Sequence, residues 1–285
     1  VCDAVFLGTD RNLTMALHLR RVAASQGVAW VRLAFAAFAR RPLGLSSLFA
    51  CVLLLGTLVG ALLPILGAPL LMLLPPLLSL GYMIATRSVL AGGPAHPGQL
   101  VEPLRPGDPA RRRKLLLLCA LYAVLACAIL FVADALDGGR LLQLQNLMAG
   151  EQSEATRAQA EALLNDPQLR DALLVFGIGG TLLSVPFWHA PALVWWGGQG
   201  VAQALFSSAV ACWRTKGAFA MYAVTWLAVV TLFAILAGLL VALLGLPQLA
   251  AFASLGAGLV FTVVFYVSLY FSFQDTFGDA DTPPA

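Results

Sequence analysis

The chain has 285 residues, of which 60% are hydrophobic and only 11% charged, against about 25% charged in an ordinary soluble domain. That composition excludes a soluble globule, and no basic run is interleaved with aromatics in the manner of a nucleic-acid surface. The net charge of +3 is informative only through where the charges fall.

Residues 1–14 read as a tag or upstream extension, expected to be disordered; they lack the basic and apolar regions of a signal peptide. From Ser25 to Arg41 the pattern is that of an amphipathic helix. Trp30, Leu33, Ala34, Ala37 and Phe38 share one stripe, with Arg32 and Arg40 off it and Ser25 as the N-cap. Too basic to cross, this helix is expected to lie at the membrane surface.

Six apolar stretches follow, each long enough for a hydrocarbon core of about 30 Å. They run over about 48–66, 70–90, 115–132, 172–196, 218–244 and 249–271. Short Pro- and Gly-containing turns close the first and last pairs. Residues 91–109 read as a loop ending in the positive anchor Arg111, Arg112, Arg113 and Lys114. An insertion over 134–171 holds seven acidic residues and three arginines, with a helix-prone stretch at Ser153–Leu164 that Asn165-Asp166-Pro167 stops. Val201–Trp213 reads as a second amphipathic helix ahead of span five. Residues 279–285 read as a disordered acidic tail.

Fourteen of the 17 Lys and Arg residues fall on one side of this topology. The positive-inside rule makes that side cytoplasmic, with both termini there and the acidic insertion outside. The fold class expected is an all-α integral membrane protein. Its six spans form three hairpins in parallel repeat, with interfacial helices before spans one and five. The returning spans end alike at Tyr82/Arg87, Phe187/Ala192 and Tyr270/Asp275.

His189 is the sharpest candidate for a site. It lies roughly 10 Å below the end of span four at 1.5 Å per residue, between Pro186 and Pro191, which free backbone carbonyls. Either it contacts a solute in a cytoplasm-facing cavity, or its neutral ring holds the kinked helix by bonding a freed carbonyl or a nearby serine. Arg87 and Asp275 occupy matching repeat positions. They either pair across the repeat interface, with Gln274 assisting, or Arg87 snorkels to lipid phosphate. Tyr82 completes this candidate cluster. Trp30, Trp195, Trp196 and Trp213 read as interfacial anchors, and Gly56-x-x-x-Gly60 as a close-packing spacing.

The five cysteines form no CxxC pair, His18 and His96 have no ligand spacing, and no cofactor or metal is expected. No catalytic motif or paired intramembrane carboxylates appear, so the chain is not expected to be an enzyme.

Phe-Trp-His-Ala-Pro-Ala-Leu (187–193), Ala-Cys-Trp-Arg-Thr-Lys-Gly-Ala-Phe (211–219), Phe-Gln-Asp-Thr-Phe-Gly (273–278) and Met-Ile-Ala-Thr-Arg (83–87) carry a resemblance. From Met15 to Gly278 the chain resembles an uncharacterised family of beta-proteobacterial inner-membrane proteins. The resemblance implies location and topology and assigns no residue a role. The functional expectation is a scaffold, accessory or lipid-interacting factor. Its partners would be the bilayer, anionic lipid and an unnamed protein, without nucleic acid. The alternative is a transporter or channel for a small or amphipathic solute, in which His189, Arg87 and Asp275 meet in one wet pocket.

Overall fold

The computed structural model describes residues 19–63, 66–149, 153–244 and 247–278; the terminal stretches read as disordered lie outside them. Every regular element described is helical. In chain order these are α1 (Gln26–Arg40), α2 (Pro42–Leu62), α3 (Gly67–Leu71), α4 (Leu74–Leu90), α5 (Gly98–Val101) and α6 (Pro109–Asp137). They continue with α7 (Arg140–Ala149), α8 (Glu154–Leu164), α9 (Pro167–Phe187), α10 (Ala190–Trp195), α11 (Val201–Arg214), α12 (Lys216–Leu244) and α13 (Pro247–Phe277). Among the described residues, six stretches are long and apolar enough to cross a membrane: Pro42–Leu62, Gly67–Leu90, Pro109–Asp137, Pro167–Trp195, Lys216–Leu243 and Phe252–Phe277.

Hydropathy alone placed some helix ends short. The third span does not begin after a basic loop. Asp108 accepts from the backbone N–H of Ala110 and Arg111 at 3.0 Å each, Pro109 stands at the first helical position, and Arg111–Lys114 are the first turns of α6. An acidic N-cap followed by proline starts a helix wherever the apolar run begins.

The buried core is one-sided. Odd-numbered spans contribute their N-terminal parts, as with Leu45 and Leu48 of α2, Leu115 and Leu118 of α6, and Ala218 and Tyr222 of α12. Returning spans contribute their C-terminal parts, as with Tyr82 and Met83 of α4, Leu183 and Phe187 of α9, and Val264 to Phe277 of α13. Those are the ends that carry most of the basic residues. The opposite ends of α2 and α12 expose Leu54, Leu58, Leu62, Leu236 and Leu243, a surface that is costly to leave in water. In the first hairpin, the second glycine of the G-x-x-x-G spacing has its Cα within 3.3 Å of where a side chain on Gly67 would begin. The close approach is to the chain's own turn.

Helix α1 does not merely rest on the outside. Its apolar stripe packs between α12 and α13, and Gly27, Trp30, Val31, Ala34 and Ala37 are buried. Trp30, expected as an interfacial anchor, is 0% exposed; its ring packs against Phe219 and Tyr222 at 5.4 and 6.0 Å. The stripe that could have faced lipid faces protein because Gly27 lets α1 sit against the backbone of α12 at Ala218 and Tyr222. Ser25 precedes α1, but its hydroxyl makes no capping bond.

At the other end of the spans, Asp137 accepts from the Leu141 N–H at 3.0 Å and Gly138 ends α6 in the left-handed conformation at φ 61°. Ser153 caps α8 and Asp166 caps α9. The Arg140 guanidinium meets Asp166 at 2.8 Å and, with the backbone N–H groups of Gln168 and Leu169, holds its carboxyl below the usual carboxylate range. A depressed pKa contributes stability above the ordinary value of about 3.9, lost as pH falls through the lowered one. Mild acid should therefore leave this clasp closed, and only pH below the ordinary carboxylate range should open it. Hydrogen exchange at residues 140–148 and 165–169 checks this. Asp166→Asn, which keeps the cap and loses the ion pair, should raise exchange at neutral pH and remove the acid transition.

Candidate functional site

The site is built around a break in the fourth span. Pro186 and Pro191 each lack the N–H that would continue the helix, and the chain passes from α9 to α10 through Trp188 and His189. In an unbroken helix the His189 N–H would bond the Val185 carbonyl. Here it donates to Ser208 Oγ at 3.0 Å, and that hydroxyl donates to the Val185 oxygen at 3.1 Å. The Cys212 thiol reaches the same oxygen at 3.6 Å. Burial pushes that thiol up to about 12, so it stays a donor.

Ser208 and Cys212 come from α11, whose buried stripe is Ala204, Ser208, Ala211 and Cys212. A serine hydroxyl from a neighbouring helix thus completes the broken backbone ladder, as apolar surroundings require. The expected serine contact exists, but the His189 backbone makes it and the ring does not.

The His189 ring is 0% exposed, and neither ring nitrogen has a hydrogen-bond partner among the described residues. It sits in an aromatic box, with Phe219, Phe273 and Phe277 centroids at 6.2, 5.9 and 5.4 Å. Trp188 beside it packs edge-on to Phe219 at 5.2 Å and Phe265 at 5.8 Å, its indole N–H 3.3 Å from Ser272 Oγ. Protein side chains enclose the ring completely.

The other candidates go elsewhere. Asp275 is 7% exposed and accepts from the Trp30 indole N–H at 2.7 Å. Arg87 is exposed, its guanidinium 5.9 Å from the Trp196 ring, and no ion pair joins it to Asp275; the pairing expected across the repeat is not formed. Gln274 is half-buried and takes no part in one. Tyr82 is fully buried, donating to the Leu45 carbonyl at 3.0 Å and stacking on Tyr266 at 5.3 Å. The five residues share the packed end of the bundle, and no cavity described among the described residues is lined by any of them.

The basic and aromatic anchors divide likewise. Arg111 donates to the Trp195 carbonyl at 3.2 Å and Lys114 to the Gly198 carbonyl at 2.9 Å. They cap the carbonyl end of α10, where cations are favoured. Arg112 and Arg113 make no such bond among the described residues. Trp195 and Trp196 are half-buried, whereas Trp213 is 73% exposed. Sequence reasoning missed Ser208, Cys212 and the buried Tyr222–Ser268 hydroxyl pair at 2.7 Å. The available signal for Ser208 was a polar residue on the apolar stripe of α11, four residues before Cys212.

A probable inner membrane protein of Burkholderia thailandensis is 34% identical to this chain over 263 residues, covering 92% of this chain and 94% of the relative. The chain belongs to that inner-membrane family. No family model matches it, and no solved structure matches it. As a member of such a family with six membrane-capable helices, the protein sits in the lipid bilayer.

Proposed function

We propose that this protein is a non-enzymatic scaffold or accessory factor of the inner membrane that interacts with lipid. In this reading the six spans are three parallel hairpins, the acidic section faces outward and both termini are cytoplasmic, in keeping with the Lys and Arg asymmetry. The observation that carries it is the His189 environment: a fully buried ring, in an aromatic box, with unpartnered nitrogens. A solute path would place such a group on a wet cavity. The scattering of Arg87, Asp275 and Tyr82 to separate partners weakens the transporter reading further.

The test is His189→Leu, close to isosteric and apolar. An unsatisfied buried polar group costs about 1–3 kcal/mol, so a packing role predicts a thermal midpoint in detergent equal to or above the wild type. Reconstituted vesicles should show no solute or proton flux with either protein. Flux carried by the wild type and abolished by His189→Leu would sink the scaffold reading in favour of transport.

A further inference from the structure

Where α11 meets α12, an apolar groove and a basic cleft draw on neighbouring residues, Trp213 and Lys216 in the groove and Arg214 in the cleft. The groove, of about 740 Å³, runs between α9, α11, α12 and α13. Its walls include Trp188, Trp213, Phe219, Trp226 and Phe265, and Lys216 stands in its lining, 5.1 Å from the Trp213 ring. The cleft, of about 490 Å³, is lined by Leu19, Arg20, Arg21, Val22 and Arg214. Arg214 ends α11 two residues before Lys216. The segment leading to α1 lies over this same junction, because a side chain on Gly217 would touch Ala24 at 3.5 Å. Arg21, Arg214 and Lys216 are exposed, and none has an acidic partner among the described residues.

We propose that groove and cleft form one site for an anionic phospholipid, its phosphate held by Arg21 and Arg214 beside Lys216 and one acyl chain laid along the aromatic groove. Groove and cleft each fall within the roughly 300–1,000 Å³ of ligand sites. Arginine guanidinium forks match phosphate oxygens in a bidentate geometry that lysine alone lacks. Arg21, Arg214 and Lys216, with no carboxylate among the described residues that line groove or cleft, favour an anion over a zwitterion, whose ammonium would be repelled. The aromatic walls give the chain a surface that the open face of α12 does not. This site rests on the lipid-interacting part of the proposed function and gives it a location and a headgroup charge.

The experiment uses the full chain in phosphatidylcholine nanodiscs doped with phosphatidylglycerol, with retained lipid read by native mass spectrometry. A basic residue that holds the bound headgroup contributes about fivefold in anionic-lipid affinity, so Arg21→Gln with Arg214→Gln should lower phosphatidylglycerol retention about 25-fold. Ala223→Phe, which narrows the groove, should also lower it, and the control pair Arg112→Gln with Arg113→Gln should leave it within about twofold. A readout that needs no variant is quenching of tryptophan emission by phosphatidylglycerol brominated on its chain, expected at lower lipid fractions than with brominated phosphatidylcholine.

If the control pair lowers retention as much as the cleft pair, charge acts diffusely. The site is then overturned while the lipid reading stands. If the wild type does not prefer phosphatidylglycerol to phosphatidylcholine, both fall. Displacement by inorganic phosphate or glycerol 3-phosphate, with Ala223→Phe silent, would make the cleft a site for a free anion and overturn the role of the groove.

Discussion

Gly27→Ala is expected to lift α1 off the bundle and destabilise the protein by about 3 kcal/mol or more, in the range of deleting a large core side chain. The added methyl would overlap the Ala218 carbonyl oxygen and crowd the Tyr222 nitrogen. Both are backbone atoms of α12, and no rotamer change can clear them. The whole helix must move, and with it Trp30, its hydrogen bond to Asp275 and its contacts with Phe219 and Tyr222. The paired control is Gly217→Ala, one turn away, where the new methyl meets only the Ala24 side chain at an ordinary 3.5 Å. Gly217 is the second residue of α12, where only part of the roughly 0.8–1 kcal/mol by which alanine exceeds glycine in a helix interior applies, so this control should be neutral or slightly stabilising. Thermal midpoints in detergent, with intrinsic tryptophan emission as the probe, compare the two. Equal midpoints would mean that α1 is not locked to α12.

Ser208→Ala should cost about 2–4 kcal/mol, because one hydroxyl serves two backbone groups. Its removal strands the His189 N–H and leaves the Val185 carbonyl to the weak thiol of Cys212 and a long 3.4 Å bond from the Trp188 N–H. Each stranded group costs about 1–3 kcal/mol. Hydrogen bonds between membrane helices average lower, at about 0.6 kcal/mol, since the loosened state finds other partners. The low end of the range is therefore the safer expectation for a break that can relax, and the high end for one held rigid by Pro186 and Pro191. Ser208→Thr retains the hydroxyl and should recover most of the stability, and Ser208→Ala combined with Cys212→Ala should exceed the sum of its parts. Hydrogen exchange at residues 185–190 would show the opening directly. Unchanged protection there in Ser208→Ala would rule out the splice.

The membrane character and the number of spans were legible because hydropathy over some 20 residues reflects a solvent rather than a neighbour. A bilayer selects apolar runs whatever packs beside them. The stop at Asn165-Asp166-Pro167 was legible for a similar reason, since caps and prolines act through local backbone chemistry. The start of α6 at Pro109 carried the same signal in Asp108-Pro109, and only the habit of reading spans by hydropathy hid it.

The candidate site was only half legible. A histidine between two prolines inside an apolar span announces a broken helix. What repairs the break comes from Ser208, 19 residues on in another helix, and no local pattern names that pairing. Arg87 and Asp275 matched by position and opposite charge, yet each had a nearer partner, Trp196 and Trp30 respectively. Matching repeat positions constrain where residues lie along the membrane normal and not which way they point.

The amino-acid sequence by itself determined the solvent this protein lives in, the six helices long and apolar enough to cross it, the clustering of basic residues at one end of them and the places where helices must stop. All of these follow from transfer energies and local backbone rules that act residue by residue. Only the tertiary structure decided which amphipathic face turns inward. An apolar stripe gains the same burial against lipid or against protein, and for α1 the choice fell to protein because Gly27 admits the backbone of α12. That choice placed Trp30 on Asp275 and against Phe219, one wall of the aromatic box around His189, and set the segment before α1 over the junction of α11 and α12.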